Sequence, residues 1–190
     1  WTVYSALTLG FVPICNVIAV GIGKKNAMIG LTGVAIFGCF LYYTIGINSF
    51  AMLIGFTIFY NLGNVCYWTV GYSLMYDNAE LDEFITGKRR EGAITGFSSF
   101  MQKFGSAVGM YTTGSLLTFF GYDGSAAEQT AEALRGIITV NTLVPGILMV
   151  LGTIFIIIYP VNKRRYNKLL AILRKKEAGE PYELDDDVKK

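Results

Sequence analysis

Long apolar runs alternate with short charged segments along this chain. Asp, Glu, Lys and Arg are absent from residues 1–23, 26–76, 104–122 and 136–162. An uncharged run of about 20 residues is long enough for a helix to cross the hydrocarbon core of a bilayer. Because lipid offers no partners to open backbone groups, each crossing has to be helical. The pattern predicts five membrane-spanning helices. Their expected bounds are about 2–22, 27–45, 50–75, 93–120 and 136–159.

Proline and charge set the expected ends and bends of these helices. Pro13 and Pro145 fall inside the first and fifth spans and should kink them. The charged run 77–91 follows the third span, and we expect it to be a loop. Residues 1–160 should therefore form the transmembrane bundle, and residues 161–190 a separate basic tail.

Composition supports an all-α multi-pass membrane protein. Of the 190 residues, 53% are hydrophobic and 16% are charged, whereas soluble domains carry about 25% charged residues. This balance excludes a nucleic-acid binder and a secreted disulfide scaffold. Cys15, Cys39 and Cys66 lie in apolar runs without metal-ligand spacing, and histidine is absent, so we expect no metal site. The chain begins at Trp1 rather than Met, which suggests a piece of a longer protein.

The basic residues predict how the chain is oriented. Segments 24–26, 76–91 and 161–190 contain every Lys and Arg except Lys103 and Arg135. Basic residues concentrate in cytoplasmic loops, so the amino end should lie outside and the carboxyl end in the cytoplasm, in the cell (inner) membrane. In the tail, Tyr166, Leu169, Leu170 and Leu173 repeat at helical spacing among basic residues. A helix on the anionic leaflet and a solvated, frayed tail are both consistent with that pattern.

Lys103 is the most informative single residue. It lies about 18 Å along the fourth predicted helix from Glu91, too deep for its side chain to reach water. A cation inside the membrane faces an aqueous cavity or an ionic partner. It shares one helical face with other polar side chains, which makes a substrate or coupling pathway the favoured interpretation. A structural ion pair with a carboxylate from outside these spans is the alternative. The face consists of Ser99, Gln102, Lys103, Ser106 and Thr113.

The third predicted helix carries a second polar face, formed by Asn61, Asn64 and Trp68 at i, i+3 and i+7. Aromatic faces stack on the apolar face of a sugar ring, and amides bind its hydroxyl groups. From spacing alone, an interfacial belt position for Trp68 is an equally good interpretation.

The charged run 77–91 places acidic residues before basic ones. Clustered carboxylates could bind metal in a membrane transferase. However, Lys88, Arg89 and Arg90 would neutralise the cluster, and a nucleotide-cradling motif is absent. An ionic latch that forms and breaks between conformations explains both signs better than an enzyme does.

Together these motifs resemble a known family. Asp77-xx-Glu80-xx-Glu83-xxx-Gly87-Lys88-Arg89-x-Glu91, then Lys103-x-Gly105 and Gly121-Tyr122, are similar to the glycoside–pentoside–hexuronide:cation symporters of the major facilitator superfamily. The resemblance covers the whole chain and is most specific over 67–122. It implies a carboxy-terminal helical bundle, corresponding to helices eight to twelve of twelve.

The resemblance also implies roles for particular residues. Lys103 matches the intramembrane lysine associated with the sugar and cation cavity, and Trp68 matches a tryptophan placed near the sugar. Asn64, Ser99 and Gln102 share the faces of these two residues and complete the expected substrate-binding set. The positions that match the family's cytoplasmic gate are Asp77, Glu80, Glu83 and Arg89.

The expected function is that of the carboxy-terminal part of a cation-coupled sugar symporter. With its amino-terminal half, the complete protein would import a glycoside, pentoside or hexuronide by alternating access, driven by Na⁺ or H⁺, without cofactor or covalent chemistry. A facilitator for another solute and a channel-like bundle without coupled transport are the alternatives. The sugar, the coupling cation, the lipid bilayer and the amino-terminal half are the expected partners, and nucleic acid is not.

Overall fold

The computed structural model describes residues 2–126, 128–159 and 172, and the described part before residue 159 is helical apart from short connections. Within these described residues, seven α-helices and one π-helical turn follow one another. They are α1 (Thr2–Ile22), α2 (Lys24–Ile45), α3 (Phe50–Cys66), the π turn (Tyr67–Gly71), α4 (Tyr72–Thr86), α5 (Glu91–Phe119), α6 (Ala131–Asn141) and α7 (Leu143–Ile158).

Among the described residues, four helical stretches are long and apolar enough to cross a membrane: Thr2–Ile22, Lys24–Ile45, Phe50–Glu83 and Ala131–Ile158. They correspond to the first, second, third and fifth predicted spans. Helix α5, at the fourth, has 29 residues, but Ser, Thr, Gly, Gln102 and Lys103 make it too polar to belong to this group. The described fold is therefore an all-helical membrane bundle, as predicted, with one polar helix.

The prediction of a loop over residues 77–91 is wrong for most of this segment. Helix α4 continues through the acidic residues to Thr86, and only residues 87–90 lie between α4 and α5. The segment 77–86 contains no Gly or Pro, and its Ala, Leu and Glu residues are strong helix formers. Gly87 ends the helix because it adopts a left-handed conformation (φ 67°), which glycine tolerates without a Cβ penalty. Its backbone N–H donates to the carbonyl of Glu83 at 2.8 Å.

The fifth predicted span contains an interruption rather than a simple kink. Helix α6 ends at Asn141 and α7 begins at Leu143, with Thr142 between them at φ −119° and ψ −62°. Proline lacks the N–H that would bond four residues back, and its ring crowds that carbonyl. For Pro145 the affected carbonyl belongs to Asn141, so the break falls there. Pro13, by contrast, lies within a continuous α1.

The packed core lies among α1, α2, α3 and the π turn. It is built largely from small residues, which allow membrane helices to approach closely. A Cβ added to Gly63 on α3 would lie 2.5 Å from the Cβ of Ala35 on α2. The buried residues of this core are Cys15, Ala19, Ala27, Met28, Leu31, Val65, Cys66 and Val70.

Helix α5 differs from the core helices because the rest of the described chain leaves it uncovered. It has no buried residue, and it packs mainly against its sequence neighbours α4 and α6. Both its polar face and its aromatic face, which includes Phe97, Phe100 and Phe104, are exposed. The predicted surface helix in the tail lies outside the described residues, apart from residue 172.

Candidate functional site

The π turn determines where Trp68 sits. A π turn inserts one extra residue into an otherwise α-helical ladder, and such turns are frequent at functional sites. Here the turn covers Tyr67–Gly71, and its Val70 is 2% exposed and packed in the core. Because Val70 faces inward, Tyr67 and Trp68 lie on the uncovered side, where they are 51% and 48% exposed.

Two tyrosines hold the Trp68 ring. Tyr72 stacks on the indole, with centroids 5.7 Å apart and planes inclined by 12°, and Tyr67 meets it edge-on at 5.7 Å and 81°. The Tyr72 hydroxyl donates to Oε1 of Gln102 on α5 over 3.5 Å. This contact joins Trp68 and Tyr72 to the turn of α5 that also carries Lys103, the next residue after Gln102. We call Trp68, Tyr72 and Gln102 the aromatic platform.

Lys103 and Ser99 lie on α5, and both are exposed. In the part of the chain that the structure describes, no carboxylate pairs with Lys103. The surface around Lys103 is open on the side that this chain leaves uncovered. A carboxylate, a cation site or a substrate from outside the described residues could therefore reach its ammonium group.

Two residues of the other predicted polar face, Asn61 and Asn64, turn towards α1, whereas Trp68 lies on the uncovered side. Asn61 has no exposed surface. Its amide nitrogen donates to the Tyr4 carbonyl at 3.2 Å and to Oγ1 of Thr8 at 3.1 Å. The Asn64 carbonyl accepts a hydrogen bond from the Tyr4 hydroxyl at 2.9 Å. Asn61 is thus part of the α1–α3 interface, and the structure groups Asn64 with Asn61 and α1 rather than with the aromatic platform.

A charged cluster occupies the end of the bundle where α2 begins and α4 ends. Lys24 Nζ donates to both carboxylate oxygens of Asp77, at 2.6 and 2.8 Å, and Asp77 is 8% exposed. The guanidinium of Arg90 binds Asp82 through two nitrogens, at 2.5 and 2.9 Å. Hydrogen bonding to Asp82 and the charge of that carboxylate raise the pKa of Arg90.

The same end also holds the end of α7. Lys25 Nζ donates to the carbonyls of Ile157 and Tyr159, at 2.9 and 2.6 Å, which satisfies free carbonyls at a helix C-terminus. The Tyr159 hydroxyl donates to the Asn78 side chain. These bonds place segment 24–26, the end of α4 and the end of α7 at one end of the bundle.

The remaining predicted gate residues lie near this cluster. Glu80 and Glu83 are exposed on α4, and Arg89 pairs with Glu91 at 3.3 Å on the surface. Sequence reasoning missed Lys24, Lys25, Asn78 and Tyr159 as partners at this end. The basic residues had already assigned segments 24–26, 76–91 and 161–190 to one side of the membrane, and this assignment could have indicated that residues in or next to these segments are partners. Tyr72 carried no distinguishing signal, since it is one of 12 tyrosines.

The acidic residues of α4 are partly used in ion pairs. Asp77 binds Lys24 and Asp82 binds Arg90. Within the described ranges, no group of three or more Cys, Asp or Glu side chains is arranged to hold a metal ion.

Comparison with known proteins identifies the family. The chain is similar to a glucuronide carrier protein homolog of Escherichia coli, with 28% identity over 86% of this chain and 35% of the relative. It is 33% identical to the isoprimeverose transporter of Lactiplantibacillus pentosus, over 87% of this chain and 34% of the relative. An uncharacterized symporter of Bacillus subtilis is 34% identical over 60% of this chain and 25% of its own length.

The chain thus spans about a third or less of the length of these relatives. The family model described as MFS/sugar transport protein matches residues 1–163. This match confirms the resemblance seen in the sequence, and it indicates a family of transporters rather than enzymes. The chain belongs to the MFS/sugar transport protein family of the major facilitator superfamily.

Proposed function

We propose that this chain is the carboxy-terminal part of a cation-coupled sugar symporter. The full-length transporter imports a glycoside, pentoside or hexuronide, driven by Na⁺ or H⁺, by alternating access in the cell membrane. Transporters of this superfamily use two helical halves that rock around a midplane site. The chain spans about a third of the relatives' length, and α5 has no buried residue. Both observations support a second set of helices that covers α5.

The aromatic platform beside Lys103 is the observation that carries this proposal. It brings a half-exposed indole and an amide to the turn of α5 that carries the Lys103 ammonium group, and these groups can stack on a sugar ring and bind its hydroxyl groups. Trp68 stacks on the sugar ring, and Gln102 and Ser99 hydrogen-bond its hydroxyl groups. Asn64 bonds to α1 rather than to the platform, and we assign it a separate contact with the sugar through its amide nitrogen, since its carbonyl accepts from Tyr4. Lys103 lies between the sugar site and the cation site and interacts with both. A charged side chain inside the membrane is energetically costly, and such residues mark substrate and ion pathways.

The charged end supports a gate on the cytoplasmic side. Asp77, Glu80, Glu83 and Arg89 belong to this gate, in which ion pairs form when the transporter closes and break when it opens. Among the described residues, this network includes the pairs Lys24–Asp77, Arg90–Asp82 and Arg89–Glu91.

The test uses the full-length transporter in membrane vesicles. Uptake of a labelled α-galactoside, β-xyloside and glucuronide is measured with and without an imposed Na⁺ or H⁺ gradient. We expect one gradient to increase saturable uptake of at least one sugar. Lys103→Ala should abolish the increase while the protein still inserts, and Lys88→Ala, which changes an exposed lysine between α4 and α5, should retain it.

Three results would contradict the proposal. Normal coupled uptake by the Lys103→Ala variant would remove Lys103 from the mechanism. Absence of uptake of every sugar by correctly inserted wild-type protein would point to a different solute, and uptake that never saturates would point to a channel-like bundle.

A further inference from the structure

Tyr72 has no role in the motifs or the resemblance, yet it joins the two helices that carry the proposed sugar site. We propose that Tyr72 is a positioning residue that fixes the plane of Trp68 and links it to α5 beside Lys103. In this role it sets which sugars the platform accepts. The inference rests on the proposed function, because it assigns Tyr72 to the sugar site proposed above.

The stacking geometry gives Tyr72 control over the indole. Near-parallel rings whose centroids are 5.7 Å apart form an offset stack, a favoured arrangement of aromatic pairs. The Tyr67 ring meets the same indole edge-on, so two tyrosine rings contact Trp68. The indole is still about half exposed, which leaves surface for a ligand. A sugar can therefore stack on a ring whose orientation the protein has already fixed.

The π turn contains Trp68 and lies directly before Tyr72. It ends at Gly71, and its Val70 is anchored in the core. Trp68 and Tyr72 are four residues apart, a spacing that places two side chains on the same helical face. Both lie on the uncovered side, where Trp68 is half exposed and Tyr72 is partly buried.

The hydroxyl group of Tyr72 supplies the link to α5. Its 3.5 Å separation from Oε1 of Gln102 is long compared with the usual 2.7–2.8 Å for bonds between oxygens. A bond of this length is weak, and a hydroxyl of the sugar can replace it at small cost. Movement of α5 during transport therefore changes the contact that positions Tyr72 against Trp68. In the other direction, sugar binding to Trp68 changes the contacts of Gln102, the residue before Lys103.

The experiment combines transport kinetics with a probe of Trp68 itself. KM and Vmax are measured for the three labelled sugars in vesicles with Tyr72→Phe, Tyr72→Leu, Gln102→Leu and the double variant Tyr72→Phe/Gln102→Leu. Tyr76, one turn farther along α4 and half exposed, gives the matched controls Tyr76→Phe and Tyr76→Leu. In parallel, acrylamide quenching is recorded for the full-length protein with Trp68 as its sole tryptophan.

Tyr72→Phe should raise the KM of the preferred sugar by about twofold, the low end of the range for one neutral hydrogen bond because this bond is long, with little change in Vmax. Tyr72→Leu should raise KM further, alter the ranking of the sugars and increase quenching of Trp68. Because Tyr72 and Gln102 act on each other, the effects in the double variant should not add. The Tyr76 variants should resemble the wild type.

Wild-type KM values and unchanged quenching in Tyr72→Leu would overturn the inference. A raised KM with unchanged quenching would also overturn it, because Tyr72 would then act on the sugar directly. If the wild type transports none of the sugars, the proposed function fails. The quenching measurement still decides separately whether Tyr72 positions Trp68.

Discussion

Asn61 has no exposed surface and bonds across to the backbone and side chain of α1. Asn61→Ala should lower the free energy of unfolding by about 1–2 kcal/mol. It removes interhelical hydrogen bonds and leaves the Tyr4 carbonyl and the Thr8 hydroxyl without this partner in an apolar region. Thermal unfolding of the purified protein in detergent measures this loss. Asn141→Ala is the control, because the Asn141 side chain donates only within its own helix, to Ile137. Equal stability of the two variants would contradict a structural role for Asn61.

The two asparagines also show what spacing can and cannot predict for single residues. The i, i+3 relation placed Asn61 and Asn64 correctly on one face of α3, but spacing does not say which neighbour covers that face, and the neighbour is α1. Lys103 was recognisable because an isolated charge in an apolar run is rare. Tyr72 was not recognisable, because its contact with α5 is made to Gln102, 30 residues later in the sequence.

At the scale of elements, the Lys24–Asp77 pair joins α2 to α4. Lys24→Ala should destabilise the protein by about 1–3 kcal/mol, because it leaves Asp77 nearly buried without its cation. The value is at the low end because the Lys24 side chain is 33% exposed. Unfolding in detergent measures it, with the exposed pair Arg89–Glu91 as control, where Arg89→Ala should cost under about 1 kcal/mol. The exchange Lys24→Asp/Asp77→Lys should recover part of the loss, and failure to do so would mean that the ion pair itself is not what stabilises this end.

Close packing between α2 and α3 leads to a second prediction about elements. A Cβ on Gly38 would collide with the Phe59 side chain, whereas one on Gly33, on the same helix, would meet nothing within 4 Å. Gly38→Ala should therefore cost about 1–3 kcal/mol through overpacking. Gly33→Ala should be neutral or slightly stabilising, because Ala favours a helix. Thermal unfolding distinguishes them, and equal midpoints would show that α2 and α3 separate easily at this point.

The ends of helices were predictable where glycine or proline sets them. They were less predictable where the first charged residue was taken as the end of a helix. Charge at Asp77 marks the end of the apolar run, but the helix continues to Thr86 because helix formers follow and Gly87 stops it. The start of α5 at Glu91 and its end at Phe119 lie close to the expected 93–120. In the fifth span, the position of Pro145 predicted a disturbance, and the exact break at Thr142 follows from the carbonyl that proline crowds.

At the scale of the whole molecule, the clearest feature is that one polar helix, α5, is left uncovered while α1, α2 and α3 form a packed core. The sequence predicted the helical class and the resemblance predicted the family, since both depend on patterns within the chain. What covers α5 depends on residues outside the described ranges. Its exposed aromatic and polar faces are the surfaces on which the proposed second set of helices would pack.

The orientation proposed for the molecule can be tested by labelling. Segments 24–26 and 87–90 lie at one end, and the connection between α5 and α6 follows the other end of α5. If the end that holds segments 24–26 and 87–90 is cytoplasmic, the cysteine introduced by Ala126→Cys should react with an impermeant maleimide on intact cells. A cysteine at Lys88→Cys should react only after permeabilisation.

Both positions are exposed, so a difference in labelling reports the side of the membrane rather than burial. The side chains of Cys15, Cys39 and Cys66 have no exposed surface, and a version that carries only these three cysteines should remain unlabelled. The reverse pattern would place the Lys24–Asp77 end outside. A gate at that end would then close the external side of the transporter, and the basic residues would have failed as a guide to topology.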